Sequence, residues 1–460
     1  MRMGVRKGVA IAFAMSIVVA ACGDDDDEGA DDTATATETA PAATDAPDVT
    51  EAPDAPATTT AGADTTVAGG DETTAPAGDT TVPGTAAPVD CSLDESPLVV
   101  GLYEVQGESA VAVNSFDFGS KLAVKMINEA GGICGQELRY DRTAPSISDV
   151  QVANAAFLEA VDMNPTAMMG IPAPNQLAGL QSQIERAGIP TLSTSGAAAN
   201  AFYGAEGVSK WNWKLANPDE NYVRETIRFA VEELGLSKLG IFATTDLAPS
   251  TMEVAEPMVA EAGAEVTVAL PYDPTSNDMT PQILQLEDSD GLIHYCYPNT
   301  CAVQLNQFQQ NGINIPTITT SSLTFVANVL VEGPALANAY AVFTGCALNA
   351  ESDRPGVSDF YNAYKAEFGE EPNQGALQTY NGMFILKKAI ETAGSTDPEA
   401  INEALGQVQL TPTDGTICEE DIHADGAHYF FHDTIVVKYD ETGASTEVSR
   451  VTNEDTPEAG

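Results

Sequence analysis

From Pro97 onward the chain alternates between two hydrophobic periods, and that alternation restricts its fold more than any other feature. PLVVGLYEV is a continuous apolar run, the pattern of a strand buried on both faces. In FGSKLAVKMINEAGG, Phe118, Leu122 and Met126 recur at every fourth position beside Ala123, Ile127 and Ala130, and Gly131-Gly132 ends the helix. ELRYDRTA reads as strand, Ser148–Val161 as helix, TAMMGI as strand, NQLAGLQSQIERAG as helix and IPTLST as strand. A second series starts near Tyr222. Its helices are ENYVRETIRFAVEELG, STMEVAEPMVAEAG (broken or kinked at Pro257), DMTPQILQLED and AVQLNQFQQNG, and its strands are KLGIFAT, EVTVALPY, GLIHYCY and TITTSS. Such alternation predicts an α/β fold of two Rossmann-like lobes with parallel sheets and a cleft between them. After Tyr340 come a strand, AYAVFTGCAL, helices at Ser358–Phe368 and Gln374–Ala393, and a last strand, HYFFHDTIVVKYD. These late pieces must complete both lobes, so each lobe is discontinuous.

One strand end carries chemistry. AGIPTLSTSG, Ala187 to Gly196, follows an apolar run with only Ser, Thr and Gly. Small hydroxyl residues add nothing to a core. They offer hydroxyls and bare N–H groups, and ligands of parallel sheets sit beyond the carboxyl ends of the strands.

The N-terminal part is a different material. Arg2, Arg6 and Lys7 precede the apolar run GVAIAFAMSIVVA, which is short for a membrane span and right for a signal peptide over residues 1–21. It ends Val19-Ala20-Ala21-Cys22. Residues 22–90 are rich in Thr, Ala, Pro, Asp and Gly, lack Lys and Arg, and cannot bury enough surface to offset ordering entropy. They read as an acidic disordered tether with a reach of roughly 45 Å. The whole chain carries a formal net charge of −49. That argues against nucleic acid and against direct adsorption to anionic lipid. Residues 454–460 read as a tail.

Apart from Cys22 there are six cysteines: Cys91, Cys134, Cys296, Cys301, Cys346 and Cys418. An even number in an exported chain predicts disulfides, with fifteen pairings open. His423, His428 and His432 invite a metal reading. On one strand, however, His428 and His432 would stand roughly 13 Å apart, too far for one ion. No metal and no cofactor is expected. The chain has no G-x-x-x-x-G-K-[ST] loop, no G-x-S-x-G elbow and no H-E-x-x-H, so no catalytic residues are assigned and an enzyme is not expected.

PLVVGLYEVQG, LAVKMINEAGGICGQELRYD, TAMMGIPAP and AGIPTLSTSGAAANAF together resemble the type I periplasmic binding proteins. More closely, they resemble the branched-chain amino-acid (Leu/Ile/Val) receptors of ABC importers. INEAGGICGQELRYD is the most specific piece, and the likeness spans about residues 97 to 453. VVAAC resembles a lipobox, which implies cleavage before Cys22 and a lipid on its sulfur. The resemblance implies two lobes joined by a three-stranded hinge, with crossings near Ala216, Phe343 and Gly415. Lobe one is then 97–215 with 344–414, and lobe two 216–343 with 415–453. This topology places Cys91 with Cys134, Cys296 with Cys301 and Cys346 with Cys418. The implied function is a monomeric lipoprotein on the outer face of the cytoplasmic membrane, which closes on a small molecule and docks on a permease served by ATPase subunits. A sensory module for a signalling partner shares the fold, and an exported hydrolase is the remaining alternative.

The family's ligand loops map onto particular residues. After TAMMGI the family's serine position falls at about Pro174, leaving Asn175 as the nearest polar group. The loop that ends AGIPTLSTSG offers Ser193, Thr194, Ser195, Gly196 and Ala197, with alanine where the family has threonine. Thr320 and Ser321 stand where the family places an acid for the ligand's ammonium, and Asp246 is a substitute acid. An ammonium buried without a carboxylate is costly, so the pattern favours an amide, a carboxylate or another neutral or acidic guest. Tyr103, Glu104, Gln106, Tyr295, Tyr297 and Tyr380 are expected near the cleft, where tyrosine supplies an apolar wall and one hydroxyl.

Overall fold

The computed structural model describes residues 91–103, 110–145, 150–171, 174–195, 203–204, 207–245, 247–286 and 288–452. The first series runs β1 (Leu98–Leu102), α1 (Ala110–Glu129), β2 (Arg139–Thr143), α2 (Val150–Asp162), β3 (Ala167–Gly170), α3 (Pro174–Ala187) and β4 (Thr191–Ser193). A short hairpin, β5 (Tyr203–Gly204) and β6 (Gly207–Val208), leads to β7 (Asn212–Lys214). These strands form a five-stranded parallel sheet in the order β2-β1-β3-β4-β7, the hairpin standing apart. The second series runs α4 (Asp219–Arg228), β8 (Lys238–Thr244), α5 (Ala248–Glu261), β9 (Glu265–Tyr272), α6 (Thr280–Ile283), β10 (Gly291–Tyr295), α7 (Pro298–Asn311), β11 (Thr317–Thr320) and β12 (Ala339–Thr344). Then follow α8 (Val357–Phe368), α9 (Gln374–Ala393), α10 (Pro398–Leu405), β13 (Gln409–Leu410), β14 (Ile422–His423), β15 (Asp433–Tyr439) and β16 (Ser445–Thr452). The second sheet has seven strands in the order β16-β15-β12-β11-β10-β8-β9, parallel from β12 to β9, with β15 and β16 antiparallel.

Each sheet is covered on both faces, which is why its central strands are apolar throughout. On one face of the first sheet, Phe116, Leu122 and Ile127 of α1 meet Met383, Leu386 and Ile390 of α9. On the other, Phe157 of α2 and Leu177, Leu180 and Ile184 of α3 pack on Val100 and Met168. The second sheet is covered by α4 and α5 on one side and by a cluster around Phe242, Ile283 and Phe308 on the other. The three disulfides are those that the family topology implied: Cys91–Cys134, Cys296–Cys301 and Cys346–Cys418.

The chain passes between the sheets three times, and Asn217 gathers the crossings. Its Nδ2 donates to the His432 and Asp433 carbonyls at 3.2 and 3.1 Å and to Thr434 Oγ1 at 3.0 Å. Its N–H donates to Thr344 Oγ1, which is itself 2.6 Å from the Tyr222 hydroxyl. At the second crossing Gly345 has φ 121°, and a Cβ there would meet Leu377 at 2.3 Å, so only glycine fits.

Several expectations are corrected. The third crossing lies at His432–Asp433, not at Gly415. Before it, β14 pairs with β13, and Tyr429 and Phe430 lie against Lys214 of the first sheet, with the Phe430 N–H on the Lys214 carbonyl at 3.0 Å. The final strand starts only at Asp433, because Asp425 Oδ1 accepts the Ala427 and Tyr429 N–H groups and turns the chain, with His428 at φ 70°. His428 therefore stacks on Trp213, and it is the His423 and His432 rings that stack, 4.7 Å apart. Helix α5 continues through Pro257. The helix expected over DMTPQILQLED shrinks to one turn, and TITTSS turns into a 3-10 segment, Ser321–Phe325. Two elements stand beyond those expected, α10 and the polar edge strand β16, whose STEVSRVT has too little apolar alternation to declare itself.

Candidate ligand-binding site

In each sheet the parallel strands end on one edge. Leu102 pairs with Gly170, Gly170 with Ser193, and Ser193 with Lys214, so Tyr103, Ile171 and Thr194 stand just beyond neighbouring strand ends. In the second sheet Thr244 pairs with Tyr272, Ala243 with Tyr295, and Thr320 with Val342. Helix α4 brings its first residue, Asp219, to this same edge, since Tyr222 one turn later bonds Thr344 at the end of β12.

Four buried hydroxyls at these ends have no hydrogen-bond partner among the described residues. They are Thr143 Oγ1 closing β2, Thr194 Oγ1 just past β4, Thr244 Oγ1 closing β8 and Tyr295 OH closing β10. A buried polar group left unsatisfied costs roughly 1–3 kcal/mol, so this placement wants an occupant that hydrogen-bonds. Other orphaned side-chain atoms lie elsewhere, in helices (Gln304 Nε2, Tyr364 OH), in strands (Asn212 Oδ1, and Thr317 Oγ1 at the opposite end of β11) and in a loop (Glu419 Oε1). The backbone is also strained here. Ile171, directly after β3, has φ 61°, a region that β-branched residues avoid.

The expected site residues fall in different surroundings. Ser193 is fully buried and its Oγ donates to the Trp213 carbonyl at 3.1 Å, so that hydroxyl ties β4 to β7. Thr194 and Ser195 are buried at the strand end, with the Thr194 N–H on the Gly170 carbonyl at 2.8 Å. Tyr103 is enclosed, its ring stacked on Phe116 and its hydroxyl 3.2 Å from Ser120 Oγ. Burial pushes its phenol up, as it does that of Tyr295. Tyr297 is half-buried and opens α7, its N–H on Thr300 Oγ1 at 3.2 Å. Thr320 closes β11 and Ser321 begins the 3-10 turn, both half-buried. Tyr380 does not join them. It lies in the core between Phe360 and Phe384, with its hydroxyl on Met126 Sδ at 3.4 Å. Asn175 sits in the first turn of α3, but its side chain, like Cys22, Glu104, Gln106, Gly196, Ala197 and Asp246, lies outside the described residues.

The structure adds two charged groups. Lys214 is fully buried at the end of β7, its Nζ 4.6 Å from the centre of the Tyr429 ring. Burial lowers its pKa well below the usual lysine range, against the pull of Asp219, Glu220 and Asp425. Asp219 is raised to about 7, first by burial, with Lys214 opposing. The Asp219 charge also acts on the phenols of Tyr295 and Tyr222, so this carboxyl stands near both. In the sequence Asp219 reads as an ordinary acid in the first turn of a helix, and nothing local marks it. Among the described residues no group of three His, Cys, Asp or Glu is placed to hold a metal ion.

Two covered, mainly parallel sheets joined by a triple crossing, with buried hydrogen-bonding groups at the strand ends, are the architecture of a bilobed solute-binding protein. The chain matches the periplasmic binding protein family model over residues 99–444, and it belongs to that family. It is 26% identical over 332 residues to the Leu/Ile/Val-binding protein homolog 7 of Brucella suis, covering 67% of this chain and 80% of that one. Among solved structures it resembles a fatty acid ABC transporter substrate-binding protein from Thermomonospora curvata, with TM-score 0.66, 20% identity, and 81% and 94% of the two chains covered. It also resembles the branched-chain amino acid transporter substrate binding protein LivJ from Streptococcus pneumoniae in complex with isoleucine, with TM-score 0.67, 18% identity, and 77% and 100% covered.

Proposed function

We propose that this chain is the solute receptor of an ABC importer and binds a small amino acid, amide or carboxylate between its two lobes. The lobes in this reading are 97–215 with 345–431 and 216–344 with 432–452. The observation that carries it is the set of orphaned hydroxyls, Thr143, Thr194, Thr244 and Tyr295, at the strand ends of both sheets. A ligand that bonds to both sets favours the closed form by its differential affinity, and the closed form docks on a permease. Ser195, with Gly196 and Ala197, holds a ligand carboxylate or carbonyl from lobe one. Thr320, Ser321, Tyr295 and Tyr297 face it from lobe two, and Asn175 and Asp246 are further polar groups that the family resemblance offers.

Asp219 changes the choice of guest. With its pKa at about 7, it accepts from an ammonium or amide when ionised and donates when protonated. Amino acids therefore stand beside amides and carboxylates, although Thr320 and Ser321 carry no charge. In the same reading the chain is exported, lipidated at Cys22 and held by its acidic tether to the outer face of the cytoplasmic membrane.

The test is a thermal-shift screen of the full chain and its Tyr295→Phe variant against branched-chain amino acids, amides, aromatic acids and fatty acids. A true ligand at 100-fold its Kd adds about 2.7 kcal/mol. Tyr295→Phe removes only a hydroxyl without a partner among the described residues, so the variant is expected to be at least as stable alone yet to bind about tenfold more weakly, as losing one hydrogen bond of about 1.5 kcal/mol implies. No shift across the panel, or an unchanged Kd in the variant, removes the proposal.

A further inference from the structure

The turn that follows the proposed ligand contacts Thr320 and Ser321 does a second thing: it reaches the other lobe. Ser321–Phe325 is one 3-10 turn. Its last residue sets its ring against Phe116 of α1, with centroids 5.6 Å apart, and Phe116 in turn stacks on Tyr103 at 5.8 Å. Leu323, Val326 and Ala327, on the second-lobe side, belong to the same apolar cluster as Phe116, Ala376 and Leu377 of the first. The seat for Phe325 exists because position 375, at the start of α9, is glycine. A Cβ there would meet Phe325 Cε1 at 2.9 Å, Ser115 Oγ at 2.9 Å and Phe116 Cε1 at 3.1 Å. Gly375, second residue of α9, has no positive φ that requires glycine; the space it leaves admits Phe325 from one lobe together with Ser115 and Phe116 of α1 from the other.

We propose that Ser321–Phe325 is a lobe-to-lobe latch, in which Phe325 seats against Phe116 and Gly375 and holds part of the population closed without ligand. Apparent affinity then scales with the fraction already closed. One short turn carries a ligand contact at one end and the latch at the other, so ligand that orders Ser321 also seats Phe325. This coupling rests on the proposed site; the latch does not.

Small-angle scattering of the ligand-free full chain tests it, with circular dichroism to show that each variant is folded. Phe325→Ala empties the seat and Gly375→Ala fills it. Each is expected to lower the closed fraction roughly tenfold, a modest share of what removing a packed aromatic ring can do, and so to raise the radius of gyration. Both act on one contact, so the double variant is expected to expand no further than either single one. If Phe325→Ala does not fold, Gly375→Ala decides alone, because helix propensity favours it. Folded variants with wild-type scattering, or a double variant whose expansion is the sum of the two, overturn the latch. No ligand enters this experiment, so its failure leaves the transport reading standing, and an empty ligand screen leaves the latch standing.

Discussion

Asp219 shows what a single side chain gains from tertiary placement. The carboxyl titrates near 7 because burial penalises its charge more than Lys214 relieves it. Between about pH 4 and pH 7 the folded chain keeps a proton that the unfolded chain releases. The contribution of this group to stability is therefore complete below about pH 4 and is lost as pH rises through about 7. Melting curves of the wild type and Asp219→Asn should show the wild type losing ground to the variant between about pH 5 and pH 7.5. A gap that does not change with pH would mean that the carboxyl is solvated after all. The hydroxyls of AGIPTLSTSG stood out in the sequence because they follow an apolar run at a strand end, and the structure gives one of them, Ser193, a structural bond to the Trp213 carbonyl. Asp219 did not stand out, because an acid at a helix start already has a local explanation. Tyr380 misled for the complementary reason: tyrosine suits a pocket wall and a core equally, and the neighbours Phe360 and Phe384 decide between them.

Among elements, the helix pair α1 and α9 does most to set the first lobe, and its partners lie far apart in sequence. Thr379 Oγ1 donates to the Phe116 carbonyl at 2.8 Å, and the backbones approach at Gly119. A Cβ at position 119 would meet the Ala376 carbonyl oxygen at 2.2 Å and Thr379 Oγ1 at 2.5 Å. Gly119→Ala gains up to about 1 kcal/mol in helix propensity, yet it forces two backbones apart, which costs about 1–3 kcal/mol or more. Chemical denaturation is expected to show a net loss; a net gain would mean that the two helices part freely at this point. Both helices were readable from periodicity, with α9 bounded as expected at Gln374–Ala393. The single turn of α6 and the edge strand β16 were not. A short polar element is held by what it packs against, not by its own pattern.

At the scale of the molecule, Asn217 is the tie among the three crossings. Asn217→Ala removes donors to His432, Asp433 and Thr434 and leaves buried acceptors unsatisfied, at a cost of about 1–3 kcal/mol. Urea denaturation is expected to show that loss; unchanged stability would mean that the crossings hold without it.

By itself the sequence determined the class of fold and the order of most of its strands and helices. Those properties follow from local hydrophobic period and local turn chemistry, which a chain carries before it folds. Through family resemblance it also indicated the pairing of six cysteines. Only the tertiary structure decided where the chain crosses for the third time, which carboxyl is desolvated and which aromatic rings meet across the lobes. Each of these depends on residues far apart in the sequence being brought within a few ångströms, and no local pattern records such a meeting.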